Sequence, residues 1–169
     1  MTCAMSAYSL RPEYSTVLID FGTDTDPTGV FMELKPVASA AKGHESRFVG
    51  EVYSTAISGR DEPSPLIAGV VRFMPGARTN WHSHALGQTL YVTEGVGLVG
   101  TRDGEVVRVR AGDTVYAPPG EEHWHGATAG QVMCHVAMVV RDADAPDTTW
   151  LEPVSEEVYR AADEAVASA

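Results

Sequence analysis

Two histidine pairs, each spaced by one residue, stand out in this chain: His82 and His84 in "NWHSHALGQ", and His123 and His125 in "EEHWHGA". In an extended strand residues i and i+2 project from the same face, so each pair can aim two imidazoles at one point. Neutral imidazole is the commonest nitrogen ligand of first-row divalent ions, and the spacing predicts a metal chelate. Gln88 follows His84 by four residues and keeps the same parity if the chain stays extended, although "ALG" between them can bulge and break the count. It offers a neutral amide where a carboxylate would be the usual choice. His135 lies on the next apolar run, so five of the six histidines fall within 54 residues and only His44 lies apart. We read His82, His84 and His123 as metal ligands and Gln88 as the fourth. His125 is open to three readings: a ligand, a donor that orients one, or a proton carrier. His135 reads equally as a hydrogen-bonded core residue and as a member of the site. Trp81, Trp124, Met74 and Met133 read as core or pocket wall, and Cys134 as a buried small hydrophobe with a soft-ligand alternative.

The elements that must hold these residues are strands. From "LIAGVVRF" onward, short β-branched runs ("TLYVTEG", "VGLVG", "EVVRVRAGD", "TVYAPPG", "EHWHGA", "VMCHVAMVV") alternate with turn formers about every ten residues, the rhythm of an all-β sandwich or barrel. Residues 1–45 read as an N-terminal arm, with "STVLIDF" (15–21) and "VFMEL" (30–34) as its apolar pieces; residues 46–152 read as the barrel. Over residues 153–169, Val154, Val158, Ala161, Ala162, Ala165 and Val166 recur at helical spacing behind Ser155, a plausible N-cap, and predict one short helix.

Composition limits the partners. The chain has 169 residues, enough for one domain with a real core, and its 12 basic against 23 acidic residues give a formal charge of -11. A polyanion would be repelled, so nucleic acid is not expected. Cys3 and Cys134 are far apart and do not form a disulfide pattern, which suits a reducing, cytoplasmic setting. No apolar run is long enough to span a bilayer.

The spacing also carries a resemblance. Gly76, His82-x-His84, Gln88 and Gly95 resemble the first cupin motif with glutamine in the glutamate position; Gly112, Pro118-x-Gly120 and His123 resemble the second, with Ala127 where asparagine is often found. The resemblance implies a double-stranded β-helix, a jelly-roll barrel with one divalent metal in its mouth. "PGARTNWHSHALGQTLYVTEG", "AGDTVYAPPGEEHWHGA", "MCHVAM" and "TWLEPVSEEVYR" are similar to single-domain cupins that include the manganese-dependent hydroxynitrile lyases, (R)-mandelonitrile lyase-like or carboxymuconolactone-decarboxylase-associated cupins. The similarity runs from about Phe48 to Tyr159 and leaves the arm unmatched. In that group glutamine is the normal fourth ligand, manganese the expected ion (iron, zinc, nickel and cobalt being alternatives), and His125 and His135 fall on histidines that act as acid or base. The resemblance further implies a homodimer or higher homo-oligomer, with a small molecule as substrate.

An amide in place of a carboxylate leaves the bound ion one charge more positive, which favours polarisation of a hydroxyl or carbonyl oxygen. The first expectation is therefore a metal-dependent lyase, isomerase or aldol-type enzyme acting on a small hydroxy or carbonyl compound. The alternatives are an iron-dependent cupin dioxygenase, a cupin resembling polyketide cyclases, and a non-enzymatic small-molecule-binding cupin.

Overall fold

A computed structural model describes residues 34–59 and 63–167. The chain divides into two units, Met1–Pro36 and Val37–Ala169, and the account that follows concerns the second. The anticipated arm strands, residues 15–21 and 30–34, lie outside the described residues apart from Leu34, as does Cys3.

The described residues form twelve strands, all paired antiparallel. In chain order they are β1 (Ala41–Lys42), β2 (Phe48–Val49), β3 (Val52–Ser58), β4 (Leu66–Phe73), β5 (Arg78–Thr79) and β6 (His82–Ser83). Then come β7 (Gln88–Thr101), β8 (Val106–Arg110), β9 (Thr114–Ala117), β10 (His123–Ala127), β11 (Met133–Val140) and β12 (Thr149–Trp150), followed by helix α1 (Glu156–Ala167). The result is a curled all-β half-barrel with one short C-terminal helix, as the turn rhythm predicts.

One expectation needs correcting. "TLYVTEG" and "VGLVG" are not separate strands but the two halves of the 14-residue β7. Its first half pairs with β11 and β9, its second with β10 and β8, so a single strand passes from one side of the barrel to the other. The change of partners falls at Gly95, whose φ of 75° suits a residue without Cβ.

Two apolar clusters result. Inside the barrel, Val52, Phe73, Leu90, Val92, Val99, Val109 and Met133 form one. The other, Trp81, Leu98, Trp124, Val154, Tyr159 and Ala162, seats α1 against the sheet. Ser155 caps α1 through the Val158 N–H, which donates to its Oγ at 3.2 Å. The buried helical face is built on Tyr159 and Ala162, whereas Val158, expected there, is 42% exposed. Tyr159 prevails because its hydroxyl donates to the Ala127 carbonyl at 2.9 Å while the buried Arg78 guanidinium lies 4.5 Å from its ring centre. Among the described residues no helix is long and apolar enough to cross a membrane.

Candidate metal centre

The two histidine pairs come together because β10 lies between β6 and the second half of β7. His123 faces His82 across the β10–β6 pairing and Thr101 across the β10–β7 pairing. The His82 and His123 rings are 4.3 Å apart between centres, those of His82 and His84 5.2 Å, and those of His84 and His123 5.7 Å. The chain does not stay extended from His84 to Gln88. It turns at Ala85–Leu86, closed by the Gly87 N–H donating to the His84 carbonyl at 3.2 Å, and Gly87 holds φ at 82°. A Cβ on Gly87 would stand 2.7 Å from the Ala117 carbonyl oxygen, so only glycine lets this turn deliver Gln88. Gln88 arrives with Oε1 3.1 Å from His123 Nε2 and also beside His82 and His84.

The tautomers of three histidines follow from their neighbours. Nδ1 of His82 lies 3.0 Å from the Asn80 carbonyl, Nδ1 of His84 2.7 Å from the Asp147 carbonyl, and Nδ1 of His123 2.9 Å from the Glu121 carbonyl. A carbonyl only accepts, so each Nδ1 carries the proton and each Nε2 presents a lone pair. His84 Nε2 is buried and has no hydrogen-bond partner. His123 Nε2 and Gln88 Oε1 then face each other as two acceptors, a contact that a cation between them would relieve in this amide orientation. Such an arrangement fits a divalent ion, with imidazole nitrogens and an amide oxygen as donors.

His125 is placed differently. Its Nε2 is buried without a partner, and its Nδ1 lies 3.2 Å from His135 Nε2. Phe73 packs on both rings, at 5.6 Å and 5.5 Å, and the backbone N–H of His125 donates to Thr79 Oγ1 at 3.1 Å. Ring nitrogens of His82, His123 and His125 all lie within 4.8 Å of one another, a group of three that could share an ion. Thus the structure brings all six predicted site residues into one buried cluster and leaves His125 close to His82 and His123 as well as to His135. Cys134 is buried, and among the described residues no cysteine joins the histidine group. A cleft of about 560 Å³ between α1 and the barrel, walled by Trp81, Trp124 and Val158, contains none of the histidines.

Burial lowers the pKa of every histidine in the cluster. His123 and His135 are pushed down to about 4, and neighbouring imidazoles add to the effect at His82 and His125. All are neutral at pH 7, so an ion need displace no proton from them. The metal-free protein should accordingly be acid-sensitive. An unfolded chain binds protons on these side chains near the ordinary 6.5, whereas folded His123 and His135 resist until about 4. Stability is therefore unaffected above the unfolded value and falls as pH drops through the window between the two. At about 1.4 kcal/mol per unit per proton, these two histidines alone should cost roughly 4 kcal/mol between pH 7 and pH 5. Urea unfolding of the metal-free protein at both pH values measures this; equal midpoints would contradict it.

Sequence reasoning missed the parts that orient the histidines: the carbonyls of Asn80, Glu121 and Asp147, and the rings of Phe73 and Trp150. No sequence signal marks a backbone carbonyl as a histidine's partner, and Asp147 lies 63 residues from His84.

A curled antiparallel barrel with a histidine cluster supplied by paired strands defines the cupin class, and the comparisons agree. The cupin domain family matches residues 69–140. The (R)-mandelonitrile lyase of Granulicella tundricola (strain ATCC BAA-1859 / DSM 23138 / MP5ACTX9) is 42% identical over 131 residues, covering 76% of this chain and 99% of that protein. The chain belongs to the cupin family, and within it resembles the hydroxynitrile lyases. A cupin-like protein from Thermotoga maritima superposes with a TM-score of 0.71 at 34% identity, covering 79% of this chain and 98% of that one. The polyketide cyclase RemF from Streptomyces resistomycificus shares the fold alone, with a TM-score of 0.61 at 20% identity over 77% of this chain and 92% of that one.

Proposed function

We propose that this cupin is a metal-dependent lyase that cleaves small cyanohydrins to an aldehyde and hydrogen cyanide, with His82, His84, Gln88 and His123 holding one divalent ion, manganese in the first instance. The observation that carries the reading is the contrast between two kinds of histidine in one cluster. His82, His84 and His123 are locked by backbone carbonyls in the ligand tautomer, whereas His125 is joined to His135, through a bond whose proton can sit on either ring. The (R)-mandelonitrile lyase relative supports the substrate class.

When bound, the ion supplies Lewis-acid polarisation of the substrate oxygen. The remaining chemistry belongs to side chains. His125, with its Nδ1–H donating to His135 Nε2, presents Nε2 to the site as a base and takes the hydroxyl proton. As the C–C bond breaks, its electron pair leaves with cyanide and the oxygen becomes the aldehyde carbonyl. Because burial disfavours the charged imidazolium at His125, the proton is held only briefly and passes to the departing cyanide, which leaves the pair in its starting state. Phe73 packs against both rings, and both histidines are buried from solvent.

The test is benzaldehyde release from mandelonitrile by untagged protein, metal-free and reloaded with manganese. Release that requires the ion and falls about 10²-fold or more in His125→Gln is expected. Manganese-loaded protein that leaves mandelonitrile and other small cyanohydrins unchanged at the background rate would remove the proposal.

A further inference from the structure

We infer that residues 147–152 clamp His82 on β6 and His84 just beyond it, and that Trp150 is the positioning residue that fixes the ring plane of His82. The inference rests on the metal-centre reading and is independent of the lyase reading.

β6 is only two residues long, and a strand so short gives little rigidity to the side chains it carries. The segment after β11 compensates by lying along it. Thr149 pairs with Ser83 and Trp150 with His82; the Leu151 N–H donates to the Trp81 carbonyl at 2.9 Å, and the Trp81 N–H to the Glu152 carbonyl at 3.1 Å. At the start of the same segment the Asp147 carbonyl accepts the His84 Nδ1 proton at 2.7 Å, with Thr148 Oγ1 at 3.4 Å from that nitrogen. One run of chain that supplies no ligand thus holds both histidines of the first pair.

Trp150 contributes what a hydrogen bond cannot. The bond from His82 Nδ1 to the Asn80 carbonyl sets the tautomer, but the rings of His84, His123 and His125 meet His82 at 88°, 53° and 78° and none stacks on its face, which leaves the ring freedom to rock. The indole stacks on the imidazole with centres 4.9 Å apart and planes inclined by 29°, which removes this freedom and sets the direction of the Nε2 lone pair. Trp150 is itself held, by Phe48 at 5.7 Å and by the Arg47 guanidinium 5.8 Å from its ring centre.

The experiment compares full-length wild type with Trp150→Ala, Trp150→Phe and Tyr159→Phe. The last removes the hydroxyl bond to the Ala127 carbonyl and so loosens α1 without touching a histidine. Cobalt(II) is the probe, with Kd taken by chelator competition and ligand geometry read from the visible absorption bands. Trp150→Ala should raise Kd about 10–100-fold and change the bands; Trp150→Phe should restore most of both, and Tyr159→Phe should change neither. A wild-type Kd and spectrum in Trp150→Ala would overturn the inference, as would an equal loss in Tyr159→Phe, since the effect would then be general destabilisation. Wild-type protein that binds no cobalt would overturn both the inference and the metal centre. The expected cobalt results combined with no cyanohydrin cleavage would support the clamp and remove only the lyase proposal.

Discussion

His123→Ala is expected to lower bound metal from about one ion per chain to near zero and to abolish metal-dependent turnover. His123 is the hub of the cluster: its ring packs on those of His82, His84 and His125, and its Nε2 lies 3.1 Å from Gln88 Oε1. Loss of a ligand should exceed the roughly 10–100-fold penalty of losing a residue that only orients one. Elemental analysis after dialysis against manganese measures the content. A second readout separates ligand loss from misfolding. Because burial holds the pKa of His123 near 4, removing the side chain deletes one proton-linked penalty, and the metal-free variant should lose less stability between pH 7 and pH 5 than wild type. Full metal content in His123→Ala would overturn the assignment.

Gly95→Ala should have the largest effect on folding, of more than about 4 kcal/mol. Two costs add here. At φ 75° a Cβ costs about 1–2 kcal/mol, and at this position it would stand 1.9 Å from the Val132 carbonyl oxygen and 2.8 Å from the carbonyl carbon. Neither is the end of a flexible side chain, so β7 and the start of β11 must separate. Gly104→Ala isolates the first cost: its φ is 90°, but nothing lies within 4 Å of the added atom. It should lose only about 1–2 kcal/mol in urea unfolding. Similar stabilities for the two variants would contradict the steric account. The site would suffer with the fold, because β7 carries Gln88 at one end and at the other pairs Thr101 with His123.

Much of this was legible in the sequence because it depends on local chemistry. Period-two alternation with regular turns specifies strands that bury one face, and the i, i+2 histidine pairs specify imidazoles that project from one face whatever fold carries them. Ser155 ahead of an amphipathic run specifies the cap and the helix. Other features depend on distant contacts that no window of sequence contains. Whether "TLYVTEG" and "VGLVG" form two strands or one was decided at Gly95, where β11 closes on β7 and leaves no room for a side chain. The parity argument for Gln88 gave way to a tight turn at Gly87, and the turn brings the amide to the histidines all the same. Tyr159, absent from the apolar positions at helical spacing, is the residue buried there, with its hydroxyl donating to a carbonyl on β10. The contrast among chemically identical histidines on which the proposed ligand and proton-carrier roles rest is likewise tertiary. It lies in what each Nδ1 touches: a backbone carbonyl for His82, His84 and His123, and another imidazole for His125. Sequence determined which side chains were available; long-range packing determined which atom of each faces the centre, because orientation is set by partners as distant as Asp147 from His84 and Trp150 from His82.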